Sequence, residues 1–293
     1  MNILLCGFES PLGVSFRSLL PQLPFECTLL DAATLATLSL NDLVLLLQEQ
    51  HINLVLNLDH RPFLTAAKAL EQVYVRIPER LAQAAANVNA MMLQLSDTQV
   101  FAGRANGSYR ESDDPDTQVP YGALRWAGEQ AVMVNCPQHI VLRTGELFGS
   151  EGENVMTRLL GAWRRQESAA VSLRYQFCPT PLPDAARVIV AMLKQLDCGI
   201  SPWGVYHYCG TDAVSYHDFA RLQRQILESQ PDWDYPMAMH EIAEGYAALS
   251  WALDCSKIRE TFGIKQHAWR AGFTSSIKQA LALQASTDAT STD

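Results

Sequence analysis

NILLCGFESPLG, residues 2–13, is the stretch from which the chain is best read. Asn2 to Cys6 is a short apolar run of the kind buried on both faces of a parallel sheet, and Gly7 ends it. A helix-like segment follows Gly13 and closes at Pro21, so the order is strand, turn, helix. Such a turn can hold a dinucleotide when spaced glycines permit a tight bend, close approach of a pyrophosphate and helix-on-strand packing. The spaced positions here are Gly7, Ser10 and Gly13. Two readings stand. Either these residues bind a cofactor, NAD or NADP, or Ser10 is simply an N-cap with Pro11 at the first helical position. Glu9 favours the second reading, because it brings a carboxylate to where a pyrophosphate would lie. Asp31, ending the next apolar run, is placed to hold an adenosine ribose and favour NAD, or merely to open a loop.

Outward from the turn, the same alternation repeats. Phe25 to Leu30 reads as a strand, Leu40 to Gln50 as a helix, Ile52 to Leu58 as a strand and Val73 to Asn89 as an alanine-rich helix. Met91 to Leu95 is strand-like, Gly103 to Pro120 a polar loop, the Tyr121 segment helical and His139 to Arg143 a fifth strand. Repeated strands and helices imply an α/β fold, a doubly wound parallel sheet of the Rossmann type with a ligand crevice at the strands' carboxyl ends. Gly7, Ser96 and Tyr121 are expected to converge there. The second half alternates with longer interruptions: helix at Val155 to Arg165, strand at Ala170 to Arg174, helix at Asp184 to Leu196, strand at Val205 to Tyr208, helix at Tyr216 to Glu228. This predicts residues 1–145 as a dinucleotide-binding domain and 146–284 as a smaller α/β substrate lobe, partly interleaved with the first. The closing Ser, Thr, Asp and Ala residues, 285–293, predict a disordered tail.

Composition narrows the function. With a net charge of −9, the chain lacks the clustered Lys and Arg that nucleic acid or an anionic membrane demands, so small molecules or protein partners fit better. Seven scattered cysteines, none in a C-x-x-C pair, suggest reduced thiols and a cytoplasmic home. Neither a signal peptide nor a membrane-spanning run is indicated. The histidines show no metal-ligand spacing, and no nucleophile elbow or Walker-type loop is present. His207 reads as a strand residue packed between lobes, Trp126 as helix packing, and the acidic run from Glu111 to Asp116 as a solvated loop.

Tyr121 and Arg125 stand four residues apart, on one face of a helix. A cation beside a phenol favours phenolate, which would make Tyr121 a proton donor and acceptor near neutrality. The other reading is a surface pair on an amphipathic helix. Val141 to Thr144, Gly149, Gly152, Asn154, Pro179-Thr180, Asp184, Gly204 to His207 and Leu253 to Lys257 carry a further pattern in order and spacing. On these residues the chain resembles the dTDP-4-dehydrorhamnose reductase family of extended short-chain dehydrogenases/reductases, over nearly its whole length.

The resemblance implies NAD(P)H-dependent reduction of a 4-keto group on a nucleotide-linked deoxysugar, with a Ser/Thr, Tyr and Lys set moving the proton. It places Tyr121, Arg125, Asp97 and Thr98 at the catalytic positions, Gly7, Ser10, Gly13 and Asp31 at the cofactor, and Arg143, Asn154 and Thr180 at the substrate. The chain departs from the pattern. Asp97 stands where the family has threonine, Arg125 where it has lysine, Asp59-His60-Arg61-Pro62 where it has a small segment lining the cofactor, Arg76 where it has asparagine, and Gly145-Glu146 where it has Ser-Trp. Thr98 is one residue late and falls on the other strand face. Arg125, Arg61 and Arg76, with Asp59 and Asp97, are expected to form an ion-pair cluster closing the crevice. Two functions follow: a feeble reductase of a nucleotide sugar, or a non-catalytic binding or regulatory subunit, much as the regulatory subunit of methionine adenosyltransferase resembles this family. A protein partner or a homo-oligomer belongs with the second.

Overall fold

The structure, a computed structural model, describes residues 1–60, 67–231, 233–242 and 249–290, side chains at 67 and 284–290 excepted. Six parallel strands form the central sheet: β1 (Asn2–Cys6), β2 (Glu26–Leu30), β3 (Leu54–Asn57), β4 (Met91–Asp97), β5 (His139–Thr144) and, later in the chain, Gly204–Tyr208. Their spatial order has β2 at one edge, then β1, β3, β4, β5 and Gly204–Tyr208. Order reverses between β1 and β3, which opens a crevice at the carboxyl ends, the expected doubly wound arrangement. Gly7 leaves β1 at φ +71°, and a Cβ there would lie 2.2 Å from the Asp59 backbone nitrogen. A Cβ on Gly13 would lie 2.1 Å from the Gly7 carbonyl. Both glycines are therefore needed to lay helix α1 (Pro11–Arg17) against the strands, with or without a ligand.

One sheet face is covered by α1 and by the later helix Leu182–Asp197, whose Leu12, Phe16, Ala185, Ile189 and Leu193 are buried together. The other face is covered by α2 (Ala32–Thr37), α3 (Leu40–Glu49), and a continuous helical stretch made of α4 (Ala67–Glu71), a π-turn (Gln72–Arg76) and α5 (Ile77–Asn87), followed by α6 (Pro120–Asn135). The π-turn has a cause in sequence. Pro78 has no N–H to give the Tyr74 carbonyl four residues back, so the helix widens there. That carbonyl is met by Gly128 of α6, where a Cβ would come within 1.8 Å of it.

Beyond β5 the chain builds a second core of aromatic residues, Phe148, Trp163, Phe219, Trp269 and Phe273. The elements after β5 are β6 (Leu147–Phe148), α7 (Val155–Arg164), β7 (Ala169–Val171), β8 (Tyr175–Phe177), β9 (Thr180–Pro181), α8 (Leu182–Asp197), β10 (Gly204–Tyr208), β11 (Val214–Ser215), α9 (Tyr216–Glu228), β12 (Met239–Glu241), β13 (Leu249–Ser250), α10 (Ser256–Phe262) and α11 (Phe273–Thr290). Read from sequence as part of the second lobe, β10 instead pairs in register with β5, and α8 packs on the first sheet. A parallel neighbour for β5 requires a long crossover, and α8 supplies it. The second lobe is thus inserted on both sides of that return. The backbone of α11 is helical through Thr290, where a tail was expected from 285, because alanines at 285 and 289 favour continuing the helix. Residues 291–293 lie outside the described residues.

Candidate functional site

Strand β4 ends at the crevice, and alternation sends its last two polar side chains in opposite directions. Asp97 faces the crevice. Ser96 faces inward, donating a hydrogen bond to Glu129 of α6, so it does not join Gly7 and Tyr121 as the sequence suggested. Asp97 caps the short turn Thr98–Val100 by accepting the Gln99 N–H at 2.9 Å. Its other oxygen accepts the Tyr121 hydroxyl at 2.6 Å and lies 3.2 Å from Arg125 Nε and 3.4 Å from His60 Nε2. Arg125 is 3% exposed, donates through Nη2 to the Leu95 carbonyl at 2.8 Å, and sits 4.9 Å from the centre of the Tyr74 ring. Tyr74, set by the π-turn, also packs edge-on against Tyr121, with centroids 5.3 Å apart. Tyr121 and Arg125 do share a helix face, but neither is the simple surface pair.

The electrostatics shift Asp97 and Tyr121 in opposite directions. Burial alone would raise the Asp97 carboxyl, yet the Arg125 charge, with His60 and the Tyr121 hydroxyl, holds it well below the usual carboxylate range. Tyr121 moves the other way: burial and the Asp97 charge push its phenol well above the ordinary value, against Arg125. Arg125 is held protonated, as Tyr121 and Asp97 outweigh its burial. A lysine-activated tyrosine requires the reverse shift. Arg76 takes no part in this cluster. It lies outside, paired with Glu71 at 2.9 Å and Glu79 at 3.6 Å, because the π-turn and α5 carry it to the helix's exposed side. Asp59 is buried at the end of β3, while Arg61 lies outside the described residues.

The crevice beside Asp97 and Tyr121 holds about 1200 Å³, somewhat more than a usual small-molecule site. Thr98, 5% exposed, lies on its wall. So does Glu146, which the sequence marked only as a departure from the family. Tyr216 donates its hydroxyl to Glu146, and burial with the nearby Asp97 charge raises this carboxyl to about 7 against that bond and Arg158. Of the expected substrate residues, Asn154 reaches the crevice wall but is occupied as the cap of α7, accepting from Met156 and Thr157 and donating to the carbonyls of Gly149 and Glu151. Arg143 and Thr180 do not reach it. Arg143, 1% exposed, is fastened to Glu129 by bonds of 2.6 to 3.1 Å and lies 3.5 Å from His207. A charge carried to a strand's interior face must find a countercharge there, and α6 provides it. Thr180 is fully buried, bonding the Cys178 carbonyl and the Gly210 N–H. His207 is a buried strand residue, as the sequence suggested, but its neighbours Tyr109, Arg143 and Phe101 all belong to the first domain rather than to two lobes; its ring lies 3.1 Å from the Tyr109 carbonyl, and burial and Arg143 lower it to about 3.

At the glycine turn, two backbone positions have no free N–H to offer. Pro11 has no N–H, and the Gly13 N–H is taken at 3.1 Å by the Ser10 hydroxyl, itself anchored to the Leu58 carbonyl at 2.8 Å. Gly152 lies over the helix start, where a Cβ would come within 2.4 Å of Pro11. Asp31 caps α2 through bonds of 2.9 and 2.7 Å to Thr34. Arg125, sealed behind Asp97, presents no donor to the crevice. Among the described residues no cluster of His, Cys, Asp and Glu is arranged for a metal, and no helix is long and apolar enough to cross a membrane.

Comparison with known proteins places this geometry. The chain is 29% identical over 211 residues to dTDP-4-dehydrorhamnose reductase of Aggregatibacter actinomycetemcomitans, covering 68% of this chain and 70% of that protein. It is also 29% identical over 219 residues to methionine adenosyltransferase 2 subunit beta of Bos taurus, covering 73% and 64%. The crystal structure of dTDP-4-dehydrorhamnose reductase from Bacillus anthracis in complex with NADP superimposes with a TM-score of 0.78 at 18% identity, over 95% of this chain and 98% of that one. A family model, the RmlD substrate binding domain, matches residues 1–282, and the chain therefore belongs to that family, of the dTDP-4-dehydrorhamnose reductase type with the extended short-chain dehydrogenase/reductase fold.

Proposed function

We propose that this chain keeps the family's fold and crevice but not its keto reduction, and acts as a non-catalytic binding or regulatory subunit. The observation that carries the reading is the 2.6 Å hydrogen bond from Tyr121 to Asp97. A reductase tyrosine must give its proton to the substrate oxygen and take the charge on itself. Here the phenol is already committed to a carboxylate whose charge makes phenolate less favourable, and Arg125 neutralises Asp97 instead of Tyr121. Loss of acid-base assistance alone is worth about 10² to 10⁴-fold in rate. The turn at Ser10 and Pro11 adds to this, because it withholds backbone donors from a dinucleotide. The relative among methionine adenosyltransferase subunits is named as a beta subunit, in keeping with this role.

The test pairs calorimetric titration of the purified protein by NADH and NADPH with a turnover assay on a dTDP-4-keto-6-deoxysugar. The unmodified chain is expected to give neither binding heat nor turnover. Micromolar NADPH binding together with sugar reduction would overturn the proposal. An Asp97→Thr/Arg125→Lys variant measured alongside distinguishes the two blocks: cofactor binding without turnover in the unmodified chain, with turnover restored in the variant, would place the loss in the proton relay alone.

A further inference from the structure

The crevice wall carries four carboxylates, Asp97, Glu146, Glu153 and Glu167, and the guanidinium groups near them already have partners. Arg125 lies behind Asp97, Arg158 is 3.8 Å from Glu153, and Arg165 is 2.8 Å from Glu167. Four carboxyl groups and two guanidinium groups, Arg158 and Arg165, line the wall, with Arg125 behind it, in a protein of net charge −9. Donors of the kind a phosphate needs are also engaged: Asn154 caps α7, and the Thr157 hydroxyl bonds the Gly152 carbonyl at 2.8 Å. A diphosphate entering this wall would meet acceptors and carboxylates, which repel it.

What the wall does offer is aromatic surface beside negative charge. Tyr121, Tyr175 and Tyr216 line the same crevice as Glu146. Tyr216 is rigid, stacked on Phe177 with centroids 4.3 Å apart and hydroxyl-bonded to Glu146 Oε2. Tyr175 is fixed edge-on against Trp251 at 5.3 Å. Tyr216 sits against Glu146, and Tyr121 and Tyr175 line the same crevice; aromatic rings and a carboxylate sharing one crevice suit an organic cation, through ring quadrupole and ion pairing together. We propose that this crevice binds an organic ammonium ligand, with Glu146 as the countercharge and the tyrosines as its apolar walls. The inference rests on the non-catalytic reading, since it gives the crevice an occupant other than a nucleotide sugar.

The groups bearing on Glu146 set its pH dependence: burial and Asp97 favour the protonated form, Tyr216 and Arg158 the carboxylate, with His60 and Tyr121 beyond Asp97. A carboxyl at about 7 is mostly protonated at pH 6 and mostly charged at pH 8, so a fixed cation should bind about tenfold more tightly at the higher pH. Choline serves as the probe, because its charge does not titrate; 3,3-dimethyl-1-butanol is its neutral isostere and dTDP the anionic control. Ligand-observed NMR on the full chain should show choline bound at least about tenfold more tightly than the alcohol or dTDP, and weakened at least about tenfold by Glu146→Gln. Tyr216→Phe keeps the ring but removes the bond that favours the carboxylate, so it should move the pH midpoint for choline upward; this second variant decides the matter if Glu146→Gln does not fold. Equal binding of choline and its neutral isostere, tighter binding of dTDP, or an unmoved pH midpoint in Tyr216→Phe would overturn the inference. Because no nicotinamide is present, these outcomes are independent of the turnover assay above.

Discussion

Replacing Arg125 by methionine would isolate what the Asp97 cluster is for. The two side chains are 2% and 8% exposed, so neither is compensated by water when its partner is lost. Arg125→Met leaves Asp97 with the Tyr121 hydroxyl, the Gln99 N–H and His60, and without its principal countercharge. Breaking a buried pair from one side costs about 3–5 kcal/mol, which for a chain of this size lowers Tm by roughly 10 °C. The pH dependence gives a sharper test. In the unmodified protein the folded Asp97 value is depressed, so its contribution is present above the unfolded value of about 3.9 and is lost as pH falls toward the folded one. In Arg125→Met burial becomes dominant, the folded value rises above that of the unfolded chain, and protonation on acidification relieves the buried charge. The difference in stability between the two proteins should therefore shrink from pH 7 to pH 4.5. Urea unfolding at both pH values, with the Asp97→Asn/Arg125→Met double variant recovering part of the loss, measures this. A deficit below about 1 kcal/mol, or one equal at both pH values, would refute the reasoning.

Two further outcomes are expected. His207 is held at about 3 in the folded state against about 6.5 when unfolded, so the unfolded chain binds the extra proton between these values and stability falls as pH drops through that window. His207→Gln should flatten the slope of stability between pH 6 and 4.5 by about 1.4 kcal/mol per unit, read by urea unfolding. Gly128→Ala places a methyl 1.8 Å from the Tyr74 carbonyl and should destabilise by about 3 kcal/mol while disturbing the Tyr74–Tyr121 contact, visible in near-ultraviolet circular dichroism. An unchanged melt would mean that the π-turn yields freely.

Much of the fold can be read from one dimension because its signals are local. Apolar runs such as residues 3–6 and 54–56, the cap at Ser10 and the break at Gly7 are all set by neighbours in the chain, whereas the helix expected to close at Pro21 ends at Arg17. The short strands β8, β11, β12 and β13 escape such reading, since two or three residues carry no periodicity. So does the return of β10 to the first sheet, which depends on pairing with β5 more than sixty residues earlier.

The site divides in the same way. Sequence by itself determines that Tyr121 and Arg125 share a helix face, that Thr98 falls on the strand face opposite Asp97, and that Pro11 cannot donate to a phosphate. Only the tertiary structure decides which of these groups meet. Asp97 takes the Tyr121 proton bond across 24 positions, His60 arrives from the end of another strand, and Arg143, expected at the substrate, is drawn inward by Glu129 of a helix packed behind the sheet. The physical reason is range: propensity, caps and alternation act over a few residues, whereas the countercharge that fixes a buried ion is whichever one packing delivers.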